Sequence, residues 1–167
     1  SEDFAALVAP LFEDAPAFIA RLTAARPFGG WERCFEAGTA LALAMPEDAQ
    51  LELIDAHPRI GAPPGSVSSL SYVEQGYDRD RATTEAEAER ARIAAELERL
   101  NRAYESTFGF RYVIFVAGRS RAAIVPLMEA ALREERASEK ERALRGVVAI
   151  ARDRAIKIGL MSDHTST

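Results

Sequence analysis

His57 is one of only two histidines in the chain, and a proline follows it directly. Histidine titrates nearest neutral pH, so an imidazole on a stiff backbone is the default carrier for general acid–base chemistry. A plainer use exists too, because a histidine closing a helix favours the C-terminus through the helix dipole. Beyond a proline- and glycine-rich loop, Ser71-x-x-Glu74 with Gln75 beside it offers a hydroxyl, a carboxylate and an amide. These could face His57 across the loop, or Ser71 and Glu74 could form a capping box in which each satisfies a backbone N–H. Arg154 recurs with Val147, Ile150 and Ile158 at spacings of three and four, which puts a guanidinium in an apolar helix stripe. A buried arginine needs an anion. That anion could be an internal carboxylate, or the carboxylate or amide of a substrate held by a bidentate clamp; otherwise the side chain snorkels to the surface.

Other chemistries find little support. Two histidines and one cysteine, widely separated, give no familiar metal-ligand spacing, so no metal is expected. There is no glycine-rich phosphate loop and no nucleophile elbow. A net charge of −5, from 21 Lys and Arg against 26 Asp and Glu, argues against a nucleic-acid partner. Cys34 alone cannot form an internal disulfide, which favours a reducing compartment. No apolar run approaches the roughly 20 residues that cross a bilayer, so no membrane partner is expected. The N-terminus lacks a signal-peptide layout and the C-terminus is not Ser-Lys-Leu, so the expected location is cytoplasmic.

The elements that must position these side chains read as helices. Phe4, Leu7, Val8, Leu11 and Phe12 share helical spacing, with Pro10 set to interrupt them. Asp14 and Pro16 suggest a capped start for a helix that buries Phe18, Ile19 and Leu22 and stops before Pro27. Trp31, Phe35, Gly38, Leu41 and Met45 mark the next helix. Pro46 opens another, which must end near Ala56 because His57 precedes a proline. Helix resumes from about Ser68 to Tyr77, with a solvated break over Asp78–Arg81. Thr84 is placed to cap a long helix carrying Ile93, Leu97, Leu100 and Tyr104, with Gly109 as its stop. Phe110 to Val116 is the one strand-like run, and no partner strand is evident. It is expected to be a buried extended segment threading between helices. A helix from Ser120 to about Glu135, kinked at Pro126, and a last one capped by Ser138 and running towards Ile158 complete the chain. The expected fold is all-α, a compact bundle of about seven to nine helices in a single domain over residues 1–167.

Taken together, several of these pieces resemble the OHCU decarboxylases, cofactor-free enzymes of the ureide pathway. The similarity spans nearly the whole chain: Arg26-Pro27-Phe28, Ala56-His57-Pro58, Ser71-x-x-Glu74-Gln75, Leu100-Asn101-x-x-Tyr104-x-x-x-Phe108-Gly109-Phe110, then Ala143-Leu144 and Arg154. The chain departs from the family pattern at Arg59-Ile60-Gly61, Gly76-Tyr77-Asp78, Tyr112, Gly146 and Ala149. Arg59 is a cation near the histidine and would depress its pKa.

The resemblance implies an all-α homodimer that uses no cofactor and acts downstream of uricase and hydroxyisourate hydrolase. Such a carboxy-lyase converts 2-oxo-4-hydroxy-4-carboxy-5-ureidoimidazoline (OHCU) into (S)-allantoin and carbon dioxide. It implies that His57 and Glu74 are catalytic. Pro58, Ser71, Gln75, Arg154 and the segment Tyr112, Val113, Ile114, Phe115 and Val116 would bind substrate, the segment through its backbone. The competing reading is a non-catalytic helical interaction module in which His57 and Glu74 are only caps.

Overall fold

The computed structural model describes residues 2–76 and 84–162. The expected break at Asp78–Arg81, Tyr77 and the tail with His164 lie outside them. Eight α-helices follow one another, and no strand occurs among the described residues. They are α1 (Glu2–Val8), α2 (Pro16–Ala24), α3 (Trp31–Ala44), α4 (Glu47–Asp55), α5 (Ser69–Glu74), α6 (Thr84–Phe108), α7 (Arg121–Ala131) and α8 (Arg136–Lys157). Short 3-10 turns cover Ala9–Phe12 and Pro64–Ser66. Among the described residues, no helix is long and apolar enough to cross a membrane.

Two compact units emerge, one formed by Ser1–His57 with Lys140–Thr167 and the other by Pro58–Glu139. In the first, α2 packs against α1, α3 and α4, burying Phe18, Ile19 and Leu22 with Leu53 and Ile54 of α4. Pro10 interrupts α1 as expected: it lacks the N–H that the α-helical ladder needs, and its ring crowds the preceding turn. The start of α2 differs from expectation. Ala15 is its N-cap, without a side-chain cap bond, and Asp14 lies in the left-handed region at φ +58. Pro16 still occupies the first turn, where its fixed φ suits a helix start. From α8, Val147, Ile150 and Arg154 turn inward, whereas Ile158, expected on the same stripe, is 50% exposed.

In the second unit α6 packs against α7 and supplies Leu97, Leu100 and Tyr104 to the core. The capping-box reading of Ser71 and Glu74 does not survive. Ser68 is the N-cap of α5 and accepts a hydrogen bond from the Ser71 N–H at 3.2 Å, so Ser71 is the third helical residue. Helix α7 starts at Arg121, one residue later than expected, with Ser120 as its cap, and it stops at Ala131, short of Glu135. The α8 ladder then begins with the Glu139 N–H on the Glu135 carbonyl, which puts Ser138 inside the first turn rather than at the cap. Residues 111–116 form neither helix nor paired strand, and Tyr112 and Val113 are buried.

Candidate active site

His57 owes its position to the proline after it. Proline disfavours the helical region for the preceding residue, so α4 cannot continue. The His57 N–H turns to the Ile54 carbonyl at 3.1 Å, and the imidazole Nδ1 lies 3.2 Å from the Leu53 carbonyl. Only the protonated nitrogen of a neutral imidazole can serve a carbonyl, so this contact assigns the proton to Nδ1 and the lone pair to Nε2. His57 is 3% exposed. Burial pushes its pKa down from 6.5 to about 4; the Arg154 guanidinium acts in the same direction, against Glu13 and the Leu53 hydrogen bond. Capping through the helix dipole needs an imidazolium and therefore does not operate near neutral pH. The neutral ring instead donates to a carbonyl in the last turn of α4.

The depressed pKa has a consequence for stability. The unfolded chain binds the proton near pH 6.5 and the folded chain only near pH 4. Stability is therefore fully present above about pH 6.5 and is lost as pH falls towards 4, by roughly 3 kcal/mol from this group. Urea unfolding at pH 7, 5.5 and 4.5 should show that decline, and a His57→Asn variant should show a shallower one.

Arg154 is 1% exposed, and its anion is internal. Nη2 donates to Glu13 Oε1 at 2.8 Å, and Nη1 donates to the carbonyls of Pro10 and Leu11 at 3.2 and 3.3 Å. The salt-bridge alternative raised by the sequence is thus present. No sequence signal singles out Glu13, which lies 141 residues away. Arg154 is a cation that lowers the His57 pKa, while the Arg59 guanidinium makes a bidentate pair with Glu105 at 2.7 and 2.5 Å.

In the second unit Gln75, 7% exposed, accepts the Gly61 N–H at 2.8 Å on Oε1, and its Nε2 lies 3.4 Å from the Arg59 carbonyl. Its own carbonyl accepts from Arg121 Nη1 at 2.9 Å. Asn101 Nδ2 donates to the Ile60 carbonyl at 2.9 Å, a tie the sequence reading did not assign. Two amides thereby fix the loop after Pro58. Gly61 completes it: φ is +77, and an added Cβ would come within 2.9 Å of Leu97 Cδ1. Pro58 itself lines a cleft of about 330 Å³ with Arg59, Asn101 and Arg111. Ser71 is buried and Glu74 half-buried at the end of α5.

The extended segment is set by aromatic packing. The Tyr104 ring lies 4.6 Å from Phe108, 5.8 Å from Phe110 and 5.1 Å from Tyr112, centroid to centroid. Its hydroxyl donates to the buried Glu139 carboxylate at 2.6 Å. Ile114 and Phe115 are half-buried, and Val116 is 9% exposed. Cys34 offers no nucleophile, since burial pushes its thiol up to about 11.

A family model for OHCU decarboxylase matches residues 1–156. The chain belongs to the OHCU decarboxylase family. The uric acid degradation bifunctional protein PucL of Bacillus subtilis (strain 168) is 30% identical over 148 residues, covering 89% of this chain and 28% of its own length. The chain thus spans little more than a quarter of that relative. A crystal structure of OHCU decarboxylase in the presence of (S)-allantoin superposes with a TM-score of 0.67 at 20% identity, covering 88% of this chain and 93% of that one. That superposition shows a shared fold over most of both chains.

Proposed function

We infer that this protein is a cofactor-independent carboxy-lyase that converts OHCU into (S)-allantoin and carbon dioxide, with residues 1–167 acting as one domain. The family match over residues 1–156 carries the reading. The urate-degrading relative and the structure obtained with (S)-allantoin both point to the same chemistry. The buried, neutral imidazole of His57 is in the protonation state that a general base requires at neutral pH.

The substrate carries an imine carbon next to the carbon that loses carbon dioxide. When the bond to the carboxylate breaks, its electron pair moves into that imine, so the substrate supplies its own electron sink. His57 Nε2 takes the proton of the substrate hydroxyl, and Glu74 acts with it as the second catalytic group. The enolate left when carbon dioxide departs is protonated at carbon on one face by the His57–Glu74 pair, which returns the proton taken from the hydroxyl. The former imine nitrogen takes a proton from solvent, and this gives the (S) product. Pro58, Ser71, Gln75, Arg154 and the backbone of Tyr112 to Val116 bind and orient the ring and ureido groups. The protein works as a cytoplasmic homodimer, after uricase and hydroxyisourate hydrolase.

The test is an ultraviolet assay in which uricase and hydroxyisourate hydrolase act on urate. Added protein should accelerate decay of the final ultraviolet-absorbing intermediate in proportion to its concentration. Decay at the spontaneous rate at every protein concentration would favour the non-catalytic interaction module.

A further inference from the structure

Between α1 and α2 the chain makes a turn that helix propensity alone does not explain. Glu13 and Asp14 both adopt left-handed backbone, at φ +50 and +58, although neither is glycine. Side chains other than glycine enter that region at a cost, so an adjacent pair needs a reason in the surrounding structure. Leu11 and Phe12, both wholly buried, anchor the turn, and the N–H groups of Glu13 and Asp14 both return to the Ala9 carbonyl. The turn presents three acceptors on one side: the carbonyls of Pro10 and Leu11 and the carboxylate of Glu13. All three accept from the Arg154 guanidinium. The Glu13 side chain is 13% exposed and that of Arg154 1%, so solvent screens the pair little.

We propose that Glu13 is a positioning residue for the reaction: its carboxylate holds the Arg154 guanidinium in one place and thereby fixes the charge environment in which His57 works. This rests on the catalytic reading of His57 given above. Among the charges that bear on the imidazole are Arg154 from α8 and Glu13 from this turn, and they oppose each other. Glu13 therefore has two jobs. It gives the guanidinium a charged acceptor beside the Pro10 and Leu11 carbonyls, and it offsets the field of that cation at a buried base. A carboxylate needed only for folding would do neither.

Glu13→Gln keeps the shape of the side chain while removing its charge, and Glu13→Asp keeps the charge while withdrawing it from Arg154. In each variant the His57 imidazole is titrated by NMR and kcat and KM for OHCU are measured across pH. In Glu13→Gln the imidazole should titrate lower than in wild type, because a charge that opposes Arg154 is gone. KM should rise about tenfold or more, since a displaced orienting group weakens productive alignment. Glu13→Asp should shift the titration less and still raise KM. Should Glu13→Gln fail to fold, Glu13→Asp decides. A folded variant with lower stability but wild-type titration, kcat and KM would overturn the proposal and leave Glu13 merely structural. If the wild-type protein has no activity on OHCU, the proposed function falls. The NMR titration then still decides the role of Glu13, with an unchanged imidazole overturning it.

Discussion

A His57→Asn variant is expected to decarboxylate OHCU about 10²-fold or more slowly than wild type, the range that general acid–base groups contribute. The substitution is chosen for its geometry. An asparagine amide can still donate to the Leu53 carbonyl, which now accepts from the His57 ring at 3.2 Å. Helix α4 therefore keeps its last hydrogen bond, and the loss falls on the basic nitrogen. The loss should appear in kcat and kcat/KM alike, because proton removal belongs to the transition state rather than to binding. A folded variant with near-normal turnover would remove His57 from the mechanism.

An Arg154→Ala variant is expected to lose about 3–5 kcal/mol of stability, a fall in Tm of roughly 10 °C, before any effect on substrate is considered. The structure changes what this substitution means. From sequence alone Arg154 could have been a substrate clamp whose removal leaves the fold intact. With Arg154 gone, the Glu13 carboxylate and the Pro10 and Leu11 carbonyls lose their shared donor in a buried setting. Leaving one charge of such a pair uncompensated is what makes the change costly. Removing both charges together, as Glu13→Gln with Arg154→Met, should cost less than Arg154→Ala alone, by thermal or urea unfolding. A drop of under 2 °C in Arg154→Ala would contradict the assigned geometry.

These two residues show how much of the protein was readable from sequence. Helices bounded by a chemical constraint or a clear stripe were legible: α4 had to end near Ala56, because His57 precedes Pro58, and α3 declares itself by Trp31, Phe35 and Gly38. That Arg154 needed an anion was equally clear, since it lies between Val147, Ile150 and Ala155 on a buried face. Which of 26 acidic residues would provide it was not, because a pairing across 141 residues leaves no trace in spacing.

Caps were the other failure. Ser68, Ser69 and Ser71 all carry a hydroxyl, and the capping-box pattern fits Ser71 and Glu74 well. The helix nevertheless starts at Ser69, because Ser68 is the residue with extended backbone and a bonded side chain. Asp14 failed for a related reason. Its neighbour Ala15 takes the cap position while the turn bends both Glu13 and Asp14 into left-handed backbone. The candidate site was legible as a set of residue types, whereas its hydrogen bonds were not. The Gln75 amide, for example, also accepts from the Gly61 N–H and lies 3.4 Å from the Arg59 carbonyl.

The central claim is that this chain decarboxylates OHCU by acting on one face of its substrate. It is tested most directly by circular dichroism of the allantoin formed when urate is treated with uricase, hydroxyisourate hydrolase and this protein. An optically active (S)-allantoin, formed faster than the spontaneous reaction and lost in His57→Asn, is the predicted result. Racemic allantoin at the spontaneous rate would contradict it.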